Sequence, residues 1–161
     1  MTLILHRLIM SLDDRLKRVE AELAIRNVIA RYGLAADCGD VAAALACHTE
    51  DATYVVSNPN AGRGDTGADL ELSGHAAIAD MLRSDMHRSL LPNCAHTVGP
   101  LQVEISDKTV RVSGYSRVYH NQSLMRLAVN IWHLHDTDAG WKIARRESRL
   151  VGDAAAQTLL Q

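Results

Sequence analysis

The chain has 161 residues, 22% of them charged and 47% hydrophobic, with a formal charge of -2. That length suits one domain with a substantial core, and the near-neutral balance leaves no basic footprint for nucleic acid. Cys38, Cys47 and Cys94 form no CxxC pair and cannot all pair within one chain. A disulfide or zinc framework is therefore set aside, and a reducing cytoplasm is the expected compartment.

The opening MTLILHRLIM is apolar but interrupted by His6 and Arg7 and too short to span a bilayer, so no membrane partner is expected. Residues 1–10 read as a tail or an upstream start, and 11–151 as the domain. From Ser11 to about Asp37 the pattern predicts one helix, with Ser11 as N-cap, Asp13 and Asp14 in the first turn, and no Gly or Pro before Gly33. It carries two apolar stripes. Leu12, Leu16, Val19 and Leu23 share one side, whereas Ile25, Val28, Ile29, Tyr32 and Ala36 lie nearly opposite. One domain's sheet is not expected to bury both sides, which predicts a homo-oligomer.

Gly39 is a plausible stop, and Asp40 then caps a short helix through Val41, Ala44, Leu45 and Cys47. A brief strand is expected at Ala52 to Val56, followed by a loop over 57–69, SNPNAGRGDTGAD, rich in turn formers. Its Arg63-Gly64-Asp65 triplet is read as a chance match to a cell-adhesion motif. Ser73 to about His87 reads as a third helix. Four strand-like stretches, 95–105, 109–120, 123–135 and 141–150, are joined by short breaks as antiparallel hairpins, and 152–161 reads as a C-terminal tail. Helices first and a strand meander afterwards predicts an α+β fold, with helices packed on one face of a curved sheet. The chain has no phenylalanine, so any cavity must be lined by aliphatic residues and Met with a few Tyr and Trp.

Tyr32, Asp37 and His96 could together form a cofactor-free proton-transfer site. The carboxylate would fix the imidazole's tautomer and stabilise its charged form, the imidazole would take a proton, and the phenol would steady an oxygen gaining charge. Each has a plainer reading as well: a strand-start histidine bonded within the core, a solvated helix-end aspartate, a core aromatic. An ideal helix would turn Asp37 about 140° from Tyr32, so the constellation is expected to need a loosening near Ala36. His133 and His135 share a strand face at a spacing that permits metal binding, but no third ligand stands at a diagnostic distance, and no metal is expected. Asn130 and Trp132, on the opposite face, could line the cavity, with Asn130 as a hydrogen-bond donor. His48, His75, His87 and His120 suggest no partner. With no Gly-rich phosphate loop and no G-x-S-x-G elbow, nucleotide-dependent and covalent chemistry are demoted and no cofactor is expected.

The stretches AELAIRNVIARYGLAADCGD, HTEDATYVV and DAGWKIARRESRL, in this order of elements, resemble the SnoaL-like branch of the nuclear-transport-factor-2-like superfamily over residues 12 to 150. That resemblance implies a cone-shaped, mostly antiparallel sheet wrapped around helices, with a pocket in its mouth. Within the superfamily the site residues are most similar to a cofactor-free lyase group containing scytalone dehydratase, bile-acid 7α-dehydratase and hexachlorocyclohexane dehydrochlorinase. On that resemblance Asp37 and His96 fall on the group's aspartate and histidine, and Tyr32 on the catalytic tyrosine of the bile-acid enzyme. Arg146 falls on the pocket arginine of the dehydrochlorinase, whose lysine at the Tyr32 position this chain lacks. The implied activity is a dehydratase-type elimination on a small hydrophobic, cyclic or aromatic substrate. An isomerase or polyketide-type cyclase with the same dyad, or a non-catalytic binding protein, stays open beside it. Oligomers implied by the resemblance are trimers or dimers.

Overall fold

The computed structural model describes residues 11–57, 69–106 and 109–161. The N-terminal tail, the loop with Arg63-Gly64-Asp65 and the Asp107-Lys108 turn lie outside the described residues. Helix α1 spans Leu12–Cys38 and begins where the sequence places it, the Ser11 Oγ accepting the Asp14 N–H at 3.1 Å. It stops at Gly39, whose left-handed φ of 71° lets its N–H turn back to the Ala36 carbonyl at 3.1 Å. The Asp40 side chain at once caps α2, Val41–Ala46, by accepting the Ala43 N–H at 2.9 Å. The two stripes of α1 have opposite fates. Ile25, Val28, Ile29, Tyr32 and Ala36 are buried, while Leu12, Leu16, Val19 and Leu23 are each more than half exposed.

Strands β1 (His48–Val56), β2 (Leu70–Ser73), β3 (Cys94–Ile105), β4 (Val110–His120), β5 (Ser123–Thr137) and β6 (Gly140–Leu150) form one curved sheet in the order β2-β1-β6-β5-β4-β3. The meander β3 to β6 is antiparallel, and β1 pairs parallel with β6. Strand β1 begins four residues before the expected Ala52. Strand β2, an antiparallel edge partner of β1, falls between the expected loop 57–69 and the expected helix from Ser73, in residues to which the sequence pattern assigned no element. The expected third helix is two: α3 (Gly74–Arg83) and α4 (Asp85–Arg88). Extended Ser84 divides them, its hydroxyl donating to the Met81 carbonyl at 2.7 Å and accepting the His87 N–H at 3.2 Å, so one residue both ends a helix and starts the next. Residues 152–161, expected as a tail, include helix α5 (Ala154–Leu159), whose Ala156 is buried and whose Leu159 carbonyl accepts from Arg111 at 2.8 Å.

The core fills the concave side of the sheet. Fully buried Trp132, Tyr54, Ile143, Leu134 and Val112 meet the inner stripe of α1, and α3 adds Ile78 and Leu82. The mouth lies between α1, α3, α4 and the ends of β3 to β6. No described helix is long and apolar enough to cross a membrane.

The register of β3 against β4 shifts between Val98 and Leu101, and Gly114 faces this irregularity. A Cβ at Gly114 would come within 2.7 Å of both the Pro100 carbonyl oxygen and Leu101 Cδ2. Gly114→Ala is therefore expected to force the two strands apart and to cost about 1–3 kcal/mol, measured by denaturant unfolding with an unchanged m-value.

Candidate active site

The last turn of α1 carries Asp37, and the first residues of β3 carry His96, 59 positions later. Asp37 accepts two hydrogen bonds from that one residue: the backbone N–H at 2.7 Å to Oδ2 and ring Nδ1 at 2.6 Å to Oδ1. An ionised carboxylate can only accept, so Nδ1 carries the ring proton and Nε2 of the neutral ring presents a lone pair. Burial alone would raise the Asp37 pKa. The bonds from the His96 ring and backbone, with the attraction of the imidazolium when His96 is protonated, outweigh it and hold the carboxyl below its ordinary value. Gly33, one turn earlier, makes room for this approach: a Cβ there would touch the His96 carbonyl oxygen at 3.4 Å and His96 Cβ at 3.6 Å. A side chain larger than methyl would push β3 off α1.

The Cys94 Sγ lies 3.7 Å from His96 Nδ1, and Asp37, Cys94 and His96 together have the composition of a metal-ligand set. Burial and then the Asp37 charge push the Cys94 thiol up to about 11, leaving it protonated, and Asp37 is committed to the two N–H groups. His133, the other metal candidate, has its pKa lowered by burial and then by Arg111 and Arg145, an environment that repels a cation.

Tyr32 does not stand beside Asp37. Helix α1 runs unbroken through Cys38, so the loosening expected near Ala36 does not occur. One cavity nevertheless has Tyr32, Ala36 and His96 all on its wall. Tyr32 packs edge-on against two residues of β1, His48 at 4.9 Å and Tyr54 at 5.9 Å between ring centroids. Both are almost wholly buried. His48 Nδ1 meets the Ala44 carbonyl at 2.8 Å, and a carbonyl can only accept, so His48 Nε2 must be the acceptor and the Tyr54 hydroxyl the donor. Burial is the main reason that the His48 pKa falls to about 4, which keeps the ring neutral for this bond. Burial also pushes Tyr54 well up, with a smaller push from Tyr32.

Of the adjacent arginines on β6, Arg146 faces inward and Arg145 outward, where it donates to Glu147 at 3.2 Å. The Arg146 guanidinium lies 5.7, 5.5 and 6.0 Å from the ring centroids of Tyr32, Tyr54 and Trp132, and its Nε donates to Asn130 Oδ1 at 3.1 Å. Asn130 in turn donates to the Ser116 hydroxyl at 2.7 Å. Asn130 and Trp132, expected on the cavity surface, therefore stand one layer behind it. Both are fully buried, and both hold Arg146 in place.

Two contiguous cavities, of about 140 and 110 Å³, share His96, His87, Arg126, Met81, Met86, Val56 and Val118. The first opens toward Leu90, Met125 and Leu150; the second reaches Tyr32, Tyr54, Ser116 and Arg146. Sequence reasoning missed His48, Tyr54, His87 and Arg126. Tyr54 alternates with Ala52 on one face of β1, a period-2 signal that could have placed it inward. His87 gave no such signal, because the turn at Ser84 aims it. Its imidazole is buried, its Nδ1 lacks a hydrogen-bond partner among the described residues, and burial, then the charge of His96, lowers its pKa.

Residues 17–147 match the family described as SnoaL-like domain. Among solved structures, the chain is similar to an NTF2-like protein with a cystatin-like fold from Novosphingobium aromaticivorans, at 34% identity and a TM-score of 0.81 over 95% of this chain and 99% of that one. It is also similar in fold to a hexachlorocyclohexane dehydrochlorinase, LinA-type3, from Novosphingobium barchaimii, at 16% identity and a TM-score of 0.68 over 85% and 90% of the two chains. A candidate scytalone dehydratase from Novosphingobium aromaticivorans, at 16% identity and a TM-score of 0.63, matches over 88% and 89%. No curated protein sequence matches the chain.

A depressed Asp37 pKa fixes the sign of one pH effect. The carboxylate's contribution to stability is complete above the unfolded value of about 4 and is lost as pH falls through the lower folded value. The stability difference between the native chain and Asp37→Asn should therefore be constant near neutrality and shrink in the acid limb, read from urea unfolding across pH.

Proposed function

The chain belongs to the SnoaL-like family, and on that footing we propose that it is a cofactor-independent lyase of the dehydratase type, acting on a small, largely apolar cyclic or aromatic molecule. The observation that carries this reading is the paired acceptance of both His96 N–H groups by Asp37, which leaves Nε2 as a base on the cavity wall. His96 Nε2 takes an acidic C–H proton, and Asp37 stabilises the imidazolium so formed. The electrons of that C–H bond become the new double bond as the C–O bond breaks. Tyr32 gives a proton to the departing oxygen and recovers one from the imidazolium, so the net loss is one water. Tyr54 does not compete as donor, because its proton is committed to His48. Arg146 holds positive charge near the oxygen where negative charge develops. The fold relatives that are dehydrochlorinase and candidate dehydratase are compatible with this class of chemistry.

A screen of small cyclic hydroxy-carbonyl compounds, followed by mass spectrometry, tests the reading. Loss of water supports it, whereas turnover at constant mass would mean isomerisation or ring closure by the same dyad. With a substrate in hand, His96→Ala should lower kcat by about 10²-fold or more. Asp37→Asn should approach that loss, and the double variant should add little because the two residues act as a unit. Tyr32→Phe should be milder, with KM nearly unchanged. Full activity in His96→Ala would refute the mechanism.

The same reading includes a homo-oligomer in a reducing cytoplasm. Leu12, Leu16, Val19 and Leu23 recur at alternating spacings of four and three, the seam of a helix packed on another helix, and all are exposed. Sedimentation should give a dimer or trimer at micromolar concentration. Leu16→Glu with Leu23→Glu should shift it to monomer while the far-ultraviolet spectrum is kept.

A further inference from the structure

The inner end of the cavity is built around a cation that has no counter-charge among the described residues. Arg146 forms no ion pair among the described residues. The nearest carboxylate in sequence, Glu147, points to the other face of the sheet, where it pairs with Arg145 and Arg149. Arg146 meets instead three aromatic faces, one amide oxygen and the Tyr54 hydroxyl, all neutral. Ring faces and amides offset part of the cost of taking a guanidinium out of water, but they do not neutralise it. Its Nε is occupied by Asn130, and that bond and the ring stack fix the plane of the fork, so the Nη donors are held in one orientation before any ligand arrives.

A second guanidinium, Arg126, stands on the wall of both cavities. Burial first, and then the charge of Arg146, draws its pKa down to about 10, with Asp153 acting weakly the other way. Arg126 thus lines the same cavity as Arg146. Its described lining contains no Asp or Glu, and burial lowers the pKa of His87, one of its two histidines. The apolar part of the lining is made of Met81, Met86, Leu90, Val118 and Met125. A small inorganic anion would leave this apolar wall unused, and an uncharged hydrocarbon would leave Arg146 unanswered.

We infer that the cavity takes an organic monoanion, an apolar or aromatic body carrying a carboxylate, with the carboxylate on the Arg146 fork and the body against the methionine wall. This inference rests on the lyase reading for where the substrate sits, and it adds the charge of the substrate. A carboxylate held on Arg146 places the apolar carbon skeleton in the cavity that Tyr32 and His96 also line.

The test compares benzoate, phenylacetate and cinnamate, each with its primary amide, by ligand-observed NMR and calorimetry on the full chain. At least one carboxylate should bind about tenfold or more tightly than its amide, the range of a charge-assisted fork. Arg146→Gln should erase the preference, Arg146→Lys should keep part of it, and His96→Ala should keep all of it. If Arg146→Gln does not fold, the acid and amide series on the native chain still decides. Amides binding as tightly as acids, no carboxylate binding at millimolar concentration, or a preference that survives in folded Arg146→Gln would each overturn the inference. Because His96→Ala tests the base and Arg146→Gln the anion site, failure of one reading leaves the other measurable.

Discussion

Two hydrogen bonds from one residue to one carboxylate join the end of the first helix to the start of the first long strand. Asp37 receives the backbone N–H and the ring Nδ1 of His96 together, so the position of β3 on α1 and the orientation of the imidazole are fixed by the same contact. If β3 shifted along the helix, one bond would break, and if the ring rotated, the other would. Gly33 beneath His96 lets the helix and strand come close enough for this. The site and the packing of helix on sheet therefore depend on one carboxylate, in which a structural bond and a tautomer-setting bond coincide.

From this joint the cavity runs inward along a gradient of polarity. Its outer wall is flexible thioether and aliphatic surface, which accommodates different shapes without strain in a chain that has no phenylalanine at all. Its inner end is rigid. There His48, Tyr54, Tyr32 and Arg146 hold one another by ring contacts and hydrogen bonds, and His48 fixes the direction in which the Tyr54 proton points. Asn130 and Ser116 brace the guanidinium from behind. Fixed dipoles at one end and an adaptable wall at the other are the arrangement in which charge stabilisation needs little reorganisation while the body of a ligand can vary.

Sheet order brings these parts together. Strand β1 lies next to β6, 92 positions apart at the Tyr54–Arg146 register, and that parallel pairing places a tyrosine beside an arginine. The meander from β3 to β6 then carries the wall round to His96.

What the sequence determined by itself is what depends on near neighbours in the chain. Ser11, Gly39 and Asp40 act through bonds to residues two to four positions away, so helix ends were legible. The inward stripe of Ile25, Val28, Ile29 and Tyr32 follows from 3.6-residue periodicity, and the hairpins from β3 to β6 follow from alternation and short turns. Asp37 and His96 were legible through their match to a family pattern, and local periodicity alone left their plainer readings open. Tertiary structure decided the rest. Strand alternation required Arg145 and Arg146 to face opposite ways, but which one faced inward depended on where β6 meets β1. Asn130 and Trp132 were placed on the inner face of β5 correctly, yet their depth behind Arg146 came from side chains on three other strands. His48 had no visible partner because Tyr54 reaches it through the path of β1, and His87 was hidden by a turn that one serine hydroxyl makes by bonding in both directions. Periodicity reports which face of an element is apolar; which polar groups meet across that face is set by register and depth, and those exist only after the elements have packed.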